Sequence, residues 1–108
     1  MSKKSPTMRT LEHLREQGYL CAVVEKFNPH VGPHGIRQDL FGLFDVLAIR
    51  DNETLGVQCT SAGVAERVRK ITESEHLAQI RKANWRIEVH GWTKRANNRY
   101  ALRVEDLS

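Results

Sequence analysis

Asp45 and Gln58 lie in two strand-like segments, residues 43–50 and 55–60, and their side-chain oxygens suit a hard cation. Both segments are apolar, and the polar residues between them are typical of a hairpin turn. A carboxylate and a carboxamide oxygen on one hairpin could hold Mg²⁺ or Mn²⁺, with the main-chain carbonyl of Cys59 as a third ligand. Such an ion activates water and stabilises the charge that develops on a phosphodiester.

The register of this hairpin decides which side chains meet. A turn formed by residues 51–52 places Asp45 opposite Gln58, whereas a turn formed by residues 52–53 places Asp45 opposite Thr60. Both turns have even length, so in both registers the three polar side chains share one face of the hairpin. A turn of odd length would separate them. The alternative is that Asp45 merely ends a strand while Gln58 is a surface residue.

Helices and strands around the hairpin are indicated by the spacing of the apolar residues. The pattern predicts an α/β fold with the order α-β-β-β-α-β-β and a mixed sheet flanked by helices. Thr7 is a candidate N-cap of the first helix, and Ser61 of the second. The expected elements besides the hairpin are helices over residues 7–17 and 63–71, a helical restart at 72–75 that ends near 84, strands over 19–27, 85–89 and 100–104, and an irregular segment over 28–35.

The composition is that of one folded domain, since 40% of the 108 residues are hydrophobic and 28% are charged. Residues 1–108 are expected to form a single domain with residues 1–6 as a flexible tail. No apolar run approaches the length that crosses a bilayer, and the first residues do not resemble a secretory signal. Cys21 and Cys59 are expected to be buried free thiols, which favours a cytoplasmic protein without a membrane partner.

The net charge of +4 comes from the second part of the chain. Residues 1–60 hold equal numbers of basic and acidic residues, whereas residues 61–108 hold ten Lys/Arg and six Asp/Glu. A neutral part with candidate metal ligands, followed by a basic part, suits an enzyme that binds a metal ion and a polyanion. Plain solubility is the alternative explanation of the same charge.

Residues 39–48, DLFGLFDVLA, and 56–60, GVQCT, resemble the core of the PD-(D/E)xK nuclease superfamily. The resemblance is greatest to its Holliday-junction resolvase and phage VRR-type branches. It implies a restriction-endonuclease-like α-β-β-β-α-β core over about residues 7–92 and a metal-dependent endonuclease that hydrolyses DNA, with branched DNA as one candidate substrate. Asp45 would be the metal-binding Asp of this superfamily, and Gln58 its Glu/Gln ligand.

The sequence departs from the superfamily pattern at Thr60, where the resemblance requires a lysine. Threonine cannot supply a positive charge to water or phosphate. Some members of the superfamily place the lysine on the following helix, and Lys70 is the candidate there, with a solvated helix charge as the alternative. The superfamily often has a Glu on the first helix; Glu12 is preferred over Glu16, and Glu25 is a further candidate. The candidate catalytic residues are therefore Asp45, Gln58, Lys70 and Glu12.

Basic and aromatic residues could contact DNA. Trp92 could stack on a base, although packing on the sheet is the commoner role of such a residue. The resemblance also implies a homodimer, since one small domain reaches only one DNA strand. The candidate nucleic-acid-binding residues are Arg37, Arg67, Arg69, Trp92, Lys94, Arg95 and Arg99.

Two other groups of residues have simpler explanations. Asp39 could hold a second ion, but a role in a turn is favoured because a glycine follows closely. His30 and His34 lie in a segment rich in proline and glycine, without further zinc ligands nearby, so a zinc site is not favoured. Two other functions stay open: a catalytically inactive nucleic-acid-binding module of the same fold, and a protein-interaction subunit.

Overall fold

In the computed structural model, which describes residues 4–108, ten elements follow one another along the chain. They are α1 (Pro6–Glu16), β1 (Leu20–Val23), β2 (Lys26–Asn28), β3 (Ile36–Gln38), β4 (Val46–Arg50), β5 (Glu53–Thr60), α2 (Val64–Thr72), α3 (Leu77–Lys82), β6 (Arg86–Lys94) and β7 (Tyr100–Asp106). Within the described residues, no helix is both long and apolar enough to span a membrane.

Five of the strands form one mixed sheet in the order β1-β4-β5-β6-β7. Neighbours pair antiparallel except β5 and β6, which are parallel and are connected through α2 and α3. The strands β2 and β3 pair with each other as a separate hairpin between β1 and β4 in the sequence. The α/β class and the mixed sheet flanked by helices were both predicted.

Helix α1 begins one residue earlier than predicted because Ser5, not Thr7, is its N-cap. The Ser5 hydroxyl accepts a hydrogen bond from the Met8 amide at 3.1 Å, and Pro6 occupies the first turn, where its missing N–H costs nothing. The expected tail over residues 1–6 therefore does not include Ser5 and Pro6, and residues 1–3 lie outside the described residues. Gly18 follows the C-cap residue Gln17 with φ of 89°, a left-handed conformation that glycine adopts easily at a helix end.

The apolar residues form two buried clusters, one on each face of the sheet. Leu11 and Leu14 of α1 pack on the first face against a cluster that includes both free cysteines, Cys21 and Cys59. On the other face Phe44 is completely buried among side chains of α2, α3 and β6. Gly56 makes room for Phe44, since a Cβ at Gly56 would lie 2.9 Å from three ring atoms.

Several element boundaries differ from the prediction. The strand expected over residues 19–27 is divided into β1 and β2, and β3 was not predicted, because the β2–β3 hairpin is too short to show an alternating pattern. The helix did break after Thr72, as the restart signal indicated. Its N-cap is Gly63 instead of Ser61: Thr60 accepts a hydrogen bond from the Gly63 amide at 3.0 Å and thereby turns the chain into α2.

Candidate active site

The β4–β5 hairpin has the first of the two expected registers. Val46 pairs with Val57 and Arg50 with Glu53, so the turn consists of the two residues Asp51 and Asn52. Asp51 has φ of 54°, a conformation that aspartate tolerates better than most residues. The ladder therefore brings Asp45 and Gln58 to its open end, next to the first pair, as the even-length turn predicted.

Asp45 is a buried carboxylate, only 5% exposed. Its Oδ1 accepts a hydrogen bond from the main-chain N–H of Cys59 at 3.1 Å. Burial raises the pKa of Asp45 to about 6; the hydrogen bonds from Cys59 oppose this rise, and the negative charges of Asp39 and Glu25 add to it. Since Asp45 turns toward the Cys59 amide, no hydrogen bond joins its side chain to Gln58 among the described residues.

Asp39 connects Gln58 to Lys70. The Gln58 amide group donates one hydrogen bond to Asp39 Oδ2 at 2.9 Å and another to the main-chain carbonyl of Leu43. The same Asp39 oxygen lies 3.6 Å from Lys70 Nζ. Both hydrogens of the Gln58 amide are therefore used, and its carbonyl oxygen is the atom that remains for a cation. The residues Asp39, Asp45, Gln58 and Lys70 are called the site cluster below.

The favoured sequence interpretation of Asp39 was therefore incomplete. Its main-chain carbonyl does form a turn by accepting from the Gly42 amide at 2.9 Å, but its side chain is the centre of the site cluster. The available signal was the spacing of two aspartates, Asp39 and Asp45, in one short loop. The spacing alone does not show where the Asp39 side chain lies, because its position depends on the conformation of the loop.

Thr60, which stands where the resemblance requires a lysine, and Lys70 have separate roles in the structure. Thr60 is 7% exposed, and its hydroxyl is used by the Gly63 amide at the start of α2. Lys70, two turns further along α2, brings an ammonium group to Asp39 instead. The proposal that Lys70 replaces the motif lysine stays a prediction, and its contact in the structure is with Asp39.

Glu12 lies away from the site cluster. It pairs with Lys4 at 2.9 Å and lines a surface cleft with Glu16 and Trp92, because Leu11 and Leu14 turn the helix so that Glu12 points aside from the sheet. Glu25 is the further candidate that lies close enough for its charge to raise the pKa of Asp45. The structure therefore favours Glu25 over the preferred Glu12.

The donor atoms of the site cluster fit a hard cation better than a soft one. Burial, followed by the charge of Asp45, raises the pKa of the Cys59 thiol, so sulfur stays protonated and is a poor ligand. Among residues 4–108, no group of three or more His, Cys, Asp or Glu side chains is arranged for a metal ion. Two carboxylates with a carboxamide oxygen still suit Mg²⁺, which usually keeps several waters and binds one or two carboxylates.

The candidate DNA-binding residues fall into three places. Arg37 on β3 pairs with Glu25 at 3.0 Å. Arg69 is exposed on α2, whereas Arg67 is half-buried, and its buried Nε has no hydrogen-bond partner among the described residues. The last group consists of the exposed residues at the turn between β6 and β7: Lys94, Arg95 and Arg99.

Trp92 packs against other residues of the protein, which was the alternative to stacking on a base. Its indole N–H donates to the Thr10 hydroxyl at 2.9 Å, and its ring lies edge-on to His13 with 6.1 Å between centroids. A base could not reach the packed part of this ring without displacing α1. Trp92 is therefore a half-buried residue packed against α1, and it lines the surface cleft beside Glu12.

A second polar group extends from Trp92 through the interior. Thr10 Oγ1 lies 3.3 Å from His90 Nδ1, and His90 Nε2 lies 2.8 Å from Glu88 Oε1. The Glu88 carboxylate can only accept, so His90 Nε2 donates to it; in the neutral ring Nδ1 then accepts from the Thr10 hydroxyl, which itself accepts from the indole. Thr10 is fully buried and His90 is 1% exposed, so no substrate reaches this Thr-His-Glu arrangement.

Comparisons with known proteins identify no relative of this chain. Known family models, curated proteins and solved structures were each searched, and none matches it. The functional assignment therefore depends on the residues of the site cluster and their geometry.

Proposed function

We propose that this chain is a metal-dependent DNA endonuclease of the PD-(D/E)xK type with a variant motif. The observation that supports this best is the approach of Lys70 Nζ to 3.6 Å from Asp39 Oδ2, the oxygen that also accepts from Gln58. A cation on α2 thus accompanies the carboxylates at the end of the hairpin, although position 60 is a threonine. The order of the elements around the hairpin is compatible with a restriction-endonuclease-like core.

Asp45, Asp39 and the carbonyl oxygen of Gln58 would hold Mg²⁺ or Mn²⁺. The bound ion would supply an activated water and stabilise the charge on the phosphodiester. The main-chain carbonyl of Cys59 stays a further candidate ligand.

Lys70 is proposed to act in place of the missing motif lysine. Its side chain is 42% exposed, so the ammonium group can meet a phosphate while Asp39 holds it near the hairpin. Asp45 is mostly ionised at neutral pH, because burial and neighbouring carboxylates raise its pKa only to about 6. The protein would therefore keep a desolvated negative charge at Asp45 and an exposed positive charge at Lys70, groups that catalytic sites commonly combine.

Exposed cations on two sides of the site would bind the DNA backbone. Arg69 and Lys70 are exposed on α2, and the β6–β7 turn adds a second basic region. We further propose that the chain acts as a homodimer in the cytoplasm, where both cysteines would stay reduced. These contacts predict binding that weakens as salt concentration rises.

One observation favours a second candidate, a non-catalytic nucleic-acid-binding module of the same fold. Asp45 is only 5% exposed, which limits the access of substrate to its carboxylate. A protein-interaction subunit is the third candidate, supported by exposed apolar residues on β1 and β4, Leu20 and Ile49.

The experiment that separates these candidates is a cleavage screen of the full chain with Mn²⁺ or Mg²⁺. End-labelled single-stranded, duplex, flap and four-way DNA are each incubated with the wild type and with Asp45→Asn. We expect cleavage of at least one substrate, and a loss of about 100-fold or more in Asp45→Asn. Asp51→Asn in the hairpin turn is the matched control and should cleave normally.

The other outcomes are equally informative. If the wild type cuts none of these DNAs, the endonuclease proposal is wrong. Salt-sensitive binding that survives Asp45→Asn without cleavage would support the non-catalytic module. A failure to bind any of the DNAs would favour the protein-interaction subunit.

A further inference from the structure

Phe41 is an exposed aromatic residue two positions after Asp39. Its side chain is 49% exposed, and its φ is 57°, in the left-handed region. The turn is held by hydrogen bonds between the main chains of Leu40 and Phe44 in both directions. Phe41 is therefore fixed at the tip of the loop that carries Asp39.

A phenylalanine in this conformation is unusual within the chain. Four non-glycine residues among those described have positive φ, and three of them are Asp51, Asn84 and Asn98. Short polar side chains such as these tolerate the left-handed region, whereas a bulky aromatic residue does not. The next residue, Gly42, also has positive φ, so the turn could have used glycine or asparagine at both positions. An unfavourable backbone conformation of this kind is often retained at functional sites.

The ring of Phe41 belongs to a small aromatic group. Its centroid lies 6.0 Å from that of Trp85 and 6.3 Å from that of His76. Trp85 also contacts the buried Phe44 at 6.2 Å, which anchors the group to the core. These neighbours support part of the Phe41 ring and leave about half of the side chain open to solvent.

We propose that Phe41 is a stacking platform for an unpaired nucleobase, an inference that rests on the proposed nuclease function. Bases stack on exposed aromatic rings, and any base can do so because each has a π face. In an intact duplex the neighbouring bases already cover both faces, so the platform selects DNA with unpaired bases near the scissile phosphate. Lys70, which lies 3.6 Å from Asp39, and Arg69, which is exposed next to it in α2, would neutralise the adjoining phosphates.

The test uses binding without metal, so that no cleavage step enters the result. A short single-stranded oligonucleotide is compared with the same backbone carrying abasic sites, which keeps the phosphates and removes the π faces. We expect the wild type to prefer the base-bearing strand. Phe41→Leu should reduce this preference by about tenfold, whereas Phe41→Tyr should retain it, because a stacked base contributes that order of affinity.

Two controls keep the result interpretable. Phe27→Leu changes an equally exposed phenylalanine, 55% exposed, on β2 and should leave the preference unchanged. Phe41→Gly relieves the positive φ and should fold at least as well as the wild type while losing the preference. Thermal melting of each variant establishes that the fold is intact.

The proposal is overturned if the wild type binds both strands equally, binds neither strand, or keeps its preference in Phe41→Leu. A base preference without metal-dependent cleavage would leave the platform standing and refute the endonuclease proposal. Cleavage that depends on Asp45, together with an unchanged preference in Phe41→Leu, would refute the platform alone.

Discussion

The sheet carries two buried polar groups that differ in how their charges are matched. The first is the site cluster at the open end of the β4–β5 hairpin. The second, called the core network below, runs between α1 and β6 and consists of Thr10, Trp92, His90, Glu88 and Arg86. Both contain a carboxylate and a basic residue, yet Asp45 of the site cluster has no cation paired with it among the described residues, whereas Glu88 of the core network pairs with Arg86.

The surroundings of the acidic residues show this difference. Burial and two neighbouring carboxylates raise the pKa of Asp45 in the site cluster. In the core network Arg86 donates a hydrogen bond to Glu88 at 2.8 Å, so this carboxylate has a cation beside it. Buried charges without an opposite partner are common at functional sites, which supports the role proposed for the site cluster.

The largest effect is expected from removing the cation of the site cluster. Lys70→Met should reduce metal-dependent cleavage by about 100- to 1000-fold, because a positive charge at the reacting phosphate is lost. The free energy of unfolding should change by less than about 1 kcal/mol, because Lys70 is partly exposed and its Nζ lies 3.6 Å from Asp39 Oδ2, a long distance for an ion pair. Single-turnover cleavage and denaturant titration measure both quantities.

The control for this change is Lys82→Met, an exposed lysine on α3. It should cleave like the wild type. Equal losses of cleavage in the two variants would mean that Lys70 acts only as a general surface charge.

A change in the core network should lower the stability of the fold and leave cleavage unchanged. Glu88→Ala should lower the free energy of unfolding by about 3 kcal/mol, because it leaves the buried His90 without its acceptor and removes the shortest ion pair of Arg86. Glu105→Ala, which breaks the exposed pair with Arg103, should cost less than about 1 kcal/mol. Urea unfolding of both variants checks this, and similar losses would contradict the assigned role of the core network.

Asp45→Asn should stabilise the fold while it abolishes cleavage. The folded state raises the pKa of Asp45 from 3.8 to about 6, so it holds the proton more tightly than the unfolded chain does. The stability from this group is therefore complete below about pH 4, falls as the pH rises toward 6, and stays low above that value. At pH 7 the variant should be about 2 kcal/mol more stable than the wild type.

The measurement is urea unfolding in EDTA from about pH 4 to pH 7. The free energy of unfolding of Asp45→Asn relative to the wild type should increase as the pH rises from about 4 to about 6, and should then level off toward pH 7. A difference that is independent of pH, or a variant that is less stable at pH 7, would show that Asp45 is not an unbalanced buried charge.

The smallest effect is expected at the exposed turn between β6 and β7. Replacing Lys94 and Arg95 by alanine should weaken DNA binding at low salt and lower the salt dependence of the affinity by about two counterions. The fold should be unaffected, because both side chains are exposed. Binding measured over a salt series tests this, and an unchanged slope would remove the turn from the DNA-binding surface.

The hairpin was the part of the site that the sequence predicted best. Alternation of apolar residues and an even-length turn are local properties, so they place Asp45 and Gln58 at one end of the ladder in advance. The mixed sheet followed from the same pattern. Lys70 was a candidate only through the resemblance, because some members of that superfamily carry the lysine on the following helix.

The remaining parts depend on loop conformation and long-range packing, which periodicity does not report. The role of Asp39 requires the turn at Phe41 and Gly42. The apolar residues of this segment do not indicate that Phe41 has a positive φ. The choice between Glu12 and Glu25 depends on how α1 rotates against the sheet. His90 could not be recognised as buried and paired, since its partner Thr10 is 80 residues away.

Direct binding of Mn²⁺ tests the central claim, that the site cluster is a cation site and the core network is structural. Paramagnetic resonance titration of the free ion should show one Mn²⁺ bound per wild-type chain, and this binding should be lost in Asp45→Asn. Glu88→Gln, which keeps an oxygen for His90, should bind Mn²⁺ like the wild type. If the wild type binds no Mn²⁺, or if Asp45→Asn binds it equally well, the assignment of the site cluster is wrong.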